Sequence, residues 1–426
     1  YIYMSLNMTI FIKLDIPLQY FNTHQQFNSF SELVGRDYYD DISWICAIYS
    51  NGNCKLPSPL PSRLKVLRCN GCGLDKIPEL PSTLKQLHCC DNNLTSIPDL
   101  PEELEELECS NNAIGTLPKL PNSLKLLSVS NCSLHKMPGL PSILERLDCS
   151  DNKQIIKLPK LPKTLRHLEC SHCMLSYLPE LPDTLELLWC NCNKISYLPE
   201  LPNSMEELDC QLNVISSIPD IYNTHLYELN CHSNKLTDLP ILPMTLVRLK
   251  CCNNNIGKLP KLPPKLMKLL CSNNTLCCLP VLPILLNHLD CSNNTIKHLP
   301  DLPSALYLFI CNNNIIERFP ESISECNFCN RFGYRNINYY NNPVSEELRI
   351  YCDDDLDKYV LMTQHRDRWA VNAISRWFLD CKYNPKYKYC KDRLMEEYNS
   401  LFNDGNREKR ENEDNEEERC NKKQKY

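Results

Sequence analysis

The chain predicts a solenoid, in which short coils of one design stack, each giving one strand to a parallel β-sheet and returning by an extended path. Three observations predict it. Cys69, Cys89, Cys109, Cys149, Cys170, Cys190, Cys210, Cys231, Cys251, Cys271, Cys291 and Cys311 recur at intervals of 20 or 21 residues, with Val129 filling the single gap. All but two stand at the end of a Leu-x-x-Leu-x-Cys string, as in Leu104, Leu107 and Cys109, with Met205 before Cys210 and Phe309 before Cys311 as the substitutes. Nearly every frame closes on two prolines three apart, such as Pro118 and Pro121. A fixed period of this length means repetition of one small unit that cannot bury its apolar side alone and does so by stacking.

The elements follow in chain order. Residues 1–43 mix aromatic and polar groups outside the frame and are read as an N-terminal cap, since a solenoid end needs a polar-faced cover. Residues 44–343 form the solenoid, with thirteen clear frames from Leu64 to Pro320 and a degenerate one at each end. The upstream one matches in part through Cys46, Ile48, Asn51, Leu56 and Pro57, and the downstream one through Ile337, Tyr339 and Asn342-Pro343.

Within a frame, Leu107 and Cys109 alternate with Glu106, Glu108 and Ser110, the period-two signature of a strand with one buried face. Three residues after the cysteine comes an asparagine, able to bond backbone groups of a buried bend. It is Asn92, Asn112, Asn152, Asn193, Asn213, Asn234, Asn254, Asn274, Asn294 or Asn314, with Cys72, Cys132 and Cys173 in the remaining frames. The proline pair excludes a helical return, because proline lacks the donor and fixes φ near −65°. The return is therefore extended or polyproline-like. Lys153-Gln154 and the stretch from Asp220 to His225 lengthen their coils and are expected as tolerated bulges.

Beyond the frames, Ser345-Glu346-Glu347 after Pro343 resembles a helix start, and Leu361, Trp369, Ile374, Trp377 and Phe378 mark an amphipathic helix. Residues 344–402 are read as an α-helical C-terminal cap covering the sheet edge. Residues 403–426, nearly all charged or amide, are expected to be disordered.

Composition narrows the function. A formal charge of −6 over 426 residues gives no pull toward nucleic acid. No apolar run approaches the ~20 residues of a membrane span, and Lys13 and Asp15 interrupt the patch from Met8 to Leu18, so neither membrane nor signal peptide is expected. The 28 cysteines fit a reduced, intracellular setting. Neighbouring strands ~4.8 Å apart hold stacked cysteines too far apart for relaxed disulfides, so the cysteine ladder reads as core packing.

The frame Leu104-x-x-Leu107-x-Cys109-x-x-Asn112-x-Ile114 with Leu117-Pro118-x-Leu120-Pro121 resembles the short, proline-rich bacterial type of leucine-rich repeat, found in secreted effectors of Yersinia and Shigella. Its cysteine in place of leucine is similar to leucine-rich repeat proteins of giant DNA viruses of amoebae, the mimivirus group. The resemblance implies a horseshoe with a parallel sheet on the concave face and an extended convex side. It implies a non-enzymatic scaffold that binds a partner protein, possible host proteins included, in the host cytoplasm if the source is viral.

The outward strand positions vary while the interior repeats, and on them the expected partner-binding residues are Arg68, His88, Glu106, Glu108, Asp148, Glu169, Leu187, Trp189, Asp209, Arg248, Lys250 and Lys268. Trp189 beside Leu187 is the expected anchor, since aromatic residues dominate binding hot spots. Some effectors of the resembled type carry a ubiquitin-ligase domain with a nucleophilic Cys-x-Asp. Cys352-Asp353-Asp354 and Cys390-Lys391-Asp392 match that string, but about 84 residues after Asn342 are too few for such a domain. Cys326-x-x-Cys329 lacks a second pair for zinc. Asp353, Asp355 and Asp357 alternate like a calcium loop, with Lys358 where glycine is needed. No cofactor, metal or catalytic residue is therefore expected.

Overall fold

The computed structural model describes residues 9–14, 25–27, 34, 36–37, 39–48, 55–326 and 336–345. The expected C-terminal helices (save Val344 and Ser345), the charged tail, Cys329, Cys352, Cys390 and the Asp353–Asp357 stretch lie outside the described residues. Two compact units divide the chain: Tyr1–Leu236 with Pro240–Cys251, and Thr237–Leu239 with Cys252–Tyr426. Among the described residues, no helix is long and apolar enough to cross a membrane.

In the first unit, β1 (Thr9–Leu14) lies between β2 (Gln25–Phe27) and β3 (Ile42–Ile48), antiparallel to both. From β3 onward the pairing is parallel and in register. The series runs through β4 (Val66–Arg68), β5 (Gln86–His88), β6 (Glu106–Glu108), β7 (Leu126–Ser128), β8 (Arg146–Asp148), β9 (His167–Glu169), β10 (Leu187–Trp189), β11 (Glu207–Asp209), β12 (Glu228–Asn230) and β13 (Arg248–Lys250). The second unit holds β14 (Lys268–Leu270), β15 (His288–Asp290), β16 (Leu308–Ile310) and β17 (Ile337–Asn338), also parallel. Each of β4–β16 has three residues, the central one buried and in register with its counterparts, as in Leu147, Leu168 and Leu188. The sheet thus begins with an antiparallel pair that no frame registers.

Each coil's interior is filled as its apolar positions dictate: Leu104, Leu107, Cys109, Ile114 and Leu120 are all buried. No helix occurs between Lys55 and Phe319, as the proline pairs require. The second proline closes a tight turn instead. Its carbonyl accepts from the next coil's first leucine, as in Leu84 N to Pro81 O at 3.1 Å and Leu185 N to Pro182 O at 3.0 Å.

The asparagine column is the main polar device. Asn152 is fully buried, and its Nδ2 donates to the carbonyls of Val129, Cys149 and Ser150 at 2.9, 2.9 and 3.0 Å. Its Oδ1 accepts from the backbone of Cys132 at 3.1 Å and Leu134 at 2.9 Å. Each such side chain thereby ties its own coil to the preceding one. Asn92, Asn112, Asn213, Asn294 and Asn314 repeat this grip. Cys132 fills the slot partially, with Sγ donating to Cys109 O at 3.1 Å.

The degenerate ends show the frame bending. Ile45 and Cys46 are in register with Leu67 and Arg68, so Cys46 occupies an outward position and buried Ala47 stands where a frame cysteine would. This corrects the alignment through Cys46: β3 is anchored by its alternation, one residue off the cysteine match. Downstream, buried Tyr339 takes the cysteine place and Asn342 grips Cys311 O at 2.9 Å. Of the lengthened coils, the one with Lys153-Gln154 exposes both residues while Ile155 remains buried. The other folds on itself through Tyr222 N to Asp220 Oδ1 at 3.0 Å and Thr224 Oγ1 to Ile221 O at 2.8 Å. Both are bulges.

The twelve frame cysteines are buried, and none of them is in a disulfide. Cys277, outside the frame, is in a disulfide. Burial pushes the thiols of Cys89, Cys170, Cys190 and Cys210 well above their ordinary range. A thiol reagent acts on the thiolate. Ellman's reagent at pH 8 is therefore expected to label a more accessible thiol such as Cys192 in the folded protein, and the frame cysteines only after guanidinium is added. Fast labelling of Cys190 or Cys210 in the native state, read by peptide mass spectrometry, would contradict the packing.

Candidate functional site

Every strand of β4–β16 turns its centre inward and its two ends outward, so the outward residues form two columns within each unit. In one, Asp148, Glu169, Trp189 and Asp209 are consecutive register partners on β8–β11. In the other stand Arg146, His167, Leu187 and Glu207.

Trp189 is 36% exposed, the most accessible large apolar side chain of β4–β16. Its Nε1 donates to Glu207 Oε1 at 2.8 Å, while Tyr227 OH donates to Glu207 Oε2 at 2.6 Å. That bond to a carboxylate pushes the Tyr227 hydroxyl up to about 12. The indole is thus held by a carboxylate that is itself held. Glu169, half-buried, is pushed up to about 7, first by burial and then by the charges of Asp148 and Glu207. Asp209 is raised by burial although Gln211 and Asn230 donate to it. Among the described residues, no cation pairs with Asp148, Glu169 or Asp209.

The basic positions are placed differently from a free patch. His88 is only 8% exposed, its two ring nitrogens each 3.3 Å from a carboxylate, Glu106 on one side and Glu108 on the other. All three expected contact residues are thus engaged with each other. Arg248 and Lys250 both reach Glu228, at 3.0 and 2.6 Å. Burial raises Glu228, but these two bonds outweigh it and hold the carboxyl below its ordinary range. Lys268 stands outward on β14 in the second unit, beside His288 of β15. Arg68 is exposed at the end of β4, in register with Cys46 and His88.

Sequence reasoning did not single out Tyr227 or Glu207 as partners of the indole, nor buried Asn230. Tyr227 precedes β12 and lies outside both columns, so only the three-dimensional register brings it to Glu207. Among the described residues, no group of three histidine, cysteine or carboxylate side chains is placed to hold a metal.

The geometry defines a parallel β-solenoid with a constant interior and a varied outward strand face. No family model matches the chain, and no curated protein matches it. Solved structures do. YopM from Yersinia enterocolitica is 31% identical over 63% of this chain and 74% of that one, with a TM-score of 0.49. YopM from Yersinia pestis, a leucine-rich effector protein, is 32% identical over 59% and 83%, with a TM-score of 0.48. The functional domain of InlJ from Listeria monocytogenes, which includes a cysteine ladder, is 24% identical over 62% and 66%, with a TM-score of 0.51. The likeness to the InlJ domain is one of fold. Together with the repeated Leu-x-x-Leu-x-Cys-x-x-Asn frame, it gives this chain the fold of a leucine-rich repeat solenoid.

Proposed function

We propose that the protein is a non-enzymatic interaction scaffold whose outward strand face binds a partner protein. The observation that supports it best is the contrast between the two sides of each strand. The inward residue is leucine in twelve strands and phenylalanine in β16, whereas the outward residues differ at nearly every step. Stacking explains the first and does not explain the second. Trp189 with Leu187 supplies an apolar anchor amid charge, the composition that favours specific recognition. In this reading the cysteine ladder is geometry, and the proline-rich frame makes a compact spacer for the face. The frame's similarity to proteins of the mimivirus group is compatible with a partner in host cytoplasm.

The test is quantitative affinity capture from cell extract with the full chain, its Trp189→Ala/Arg248→Glu variant, and a return-path variant, Glu200→Gln. Proteins bound through the face are expected to be lost with the double variant and retained with Glu200→Gln. Identical recovery with all three would refute the strand face as the binding surface.

A further inference from the structure

We propose that the strip Asp148–Glu169–Trp189–Asp209 binds an arginine-bearing extended segment of a partner protein, one guanidinium lying against the indole with carboxylates on both flanks. The inference rests on the strand-face reading and names the chemistry of its partner.

Four observations support it. The four residues are consecutive register partners, so Trp189 stands in the row between Glu169 and Asp209. The cations nearby are committed elsewhere, Arg166 to Glu186 and Arg248 and Lys250 to Glu228. Arg146, exposed in the other column, forms no ion pair with the strip among the described residues. Asp148 and Glu169 therefore stand side by side without a paired cation, and burial first, then the charges of Asp148 and Glu207, push the Glu169 carboxyl up to about 7. The fourth observation is Asn230, next in the row after Asp209. It is 5% exposed, its Nδ2 donates to Asp209 Oδ2 at 3.1 Å, and its Oδ1 has no donor. A buried acceptor without a donor is costly and uncommon in folded proteins. A guanidinium engaging Asp209 carries surplus N–H groups to the residue beside this unmet acceptor.

Arginine fits better than lysine or a metal ion. Its plane stacks on an indole while its edge donates to carboxylates, and the carboxylates are not placed as metal ligands. Three strand spacings, about 14 Å, separate the ends of the strip, which an extended segment of about five residues spans.

The experiment is fluorescence anisotropy on the full chain with a labelled nonapeptide of arginine and glycine, and its lysine and glutamine counterparts. The arginine peptide is expected to bind about tenfold more tightly than the glutamine peptide. Glu169→Gln/Asp209→Asn should lose about tenfold for both cationic peptides. Trp189→Ala should abolish the preference for arginine over lysine, an effect that charge alone would not produce. Glu200→Gln should change nothing. Cation and proton compete at Glu169, so affinity should rise from pH 6 to 8. The charged groups facing Glu169 are Arg146 and Asp148 on β8, His167 on β9, and Glu207 and Asp209 on β11, while β10 contributes none. An arginine peptide bound no more tightly than its glutamine counterpart would overturn the proposal, as would binding that changes less than about twofold in both face variants. If the capture experiment loses a protein with Trp189→Ala/Arg248→Glu while no basic peptide binds, the face reading stands and the arginine assignment falls.

Discussion

Replacing Asn152 with alanine is expected to cost about 3–5 kcal/mol, more than any surface change in this chain. The side chain makes five hydrogen bonds, three donated to carbonyls and two accepted from backbone N–H groups. The site is closed to water, with Asn152 at 0% exposed. Alanine leaves the backbone groups of Cys132, Leu134 and Val129 without these partners, in a place where unmet polar groups carry their full desolvation cost. Urea unfolding monitored by circular dichroism measures the loss. Asn152→Cys provides a graded comparison, because cysteine fills the same slot at Cys132 by donating one bond to Cys109 O. It should recover part of the loss, since a thiol donates weakly and does not replace two accepted bonds. A loss below about 1 kcal/mol for Asn152→Ala would show that the column is a packing feature and not a polar clamp.

Leu188→Ala is expected to cost about 2–5 kcal/mol. Leu188 is fully buried, in register with Leu168 on one side and Leu208 on the other, and the neighbouring frame cysteines Cys170, Cys190 and Cys210 are also fully buried. The void cannot be filled by a small shift, because coils on both sides are fixed by asparagine grips. In a solenoid the loss is a nearest-neighbour one. Hydrogen exchange should therefore accelerate most at the amides of β9, β10 and β11, and least at β4. Uniform acceleration across the first unit would contradict a local defect. Trp189, one residue along, provides the contrast: its truncation should affect binding much more than stability.

The contrast between those two residues also marks what the sequence makes legible. A position that recurs in every coil is read easily, because repetition separates it from chance. The inward leucines, the cysteine slot, the asparagine grip and the extended return are all of this kind. Positions that serve the same role with different residues escape. One is a hydroxyl that ties successive turns: Thr83 Oγ1 donates toward Ser62 O and Leu64 O, and Ser123, Thr164, Thr184 and Ser204 repeat the contact. Glu103, Ile143 and Leu285 hold the same position in other coils, which hides it from a frame. The left-handed turn two residues after each cysteine is similar. Asn111 and Asp91 there are ordinary, while Leu212 at φ 53° is not announced by any preference of leucine. The candidate site was legible as two columns of outward residues. Its internal pairing was not, since His88 with its two glutamates and Glu207 with Trp189 and Tyr227 depend on side-chain reach across strands.

The asparagine grip has a direction. In each unit, Oδ1 of one coil serves the backbone N–H groups of the coil before it, as Asn92 serves Leu74 and Asn314 serves Ile296. Nδ2 reaches back likewise, to Cys69 from Asn92 and to Cys291 from Asn314. A nascent coil thus has its bend completed only when the next one has emerged. Assembly from the ribosome is therefore expected to advance with a lag of about one coil, a chain interrupted within a unit exposing one open bend at its growing end. Asn342 performs that closing act for the coil of Ile316 and Cys311, without a further frame after it to do the same. The terminal bend is instead closed by Ser345, whose hydroxyl donates to Asn342 O and whose oxygen lies 3.4 Å from Asn342 N.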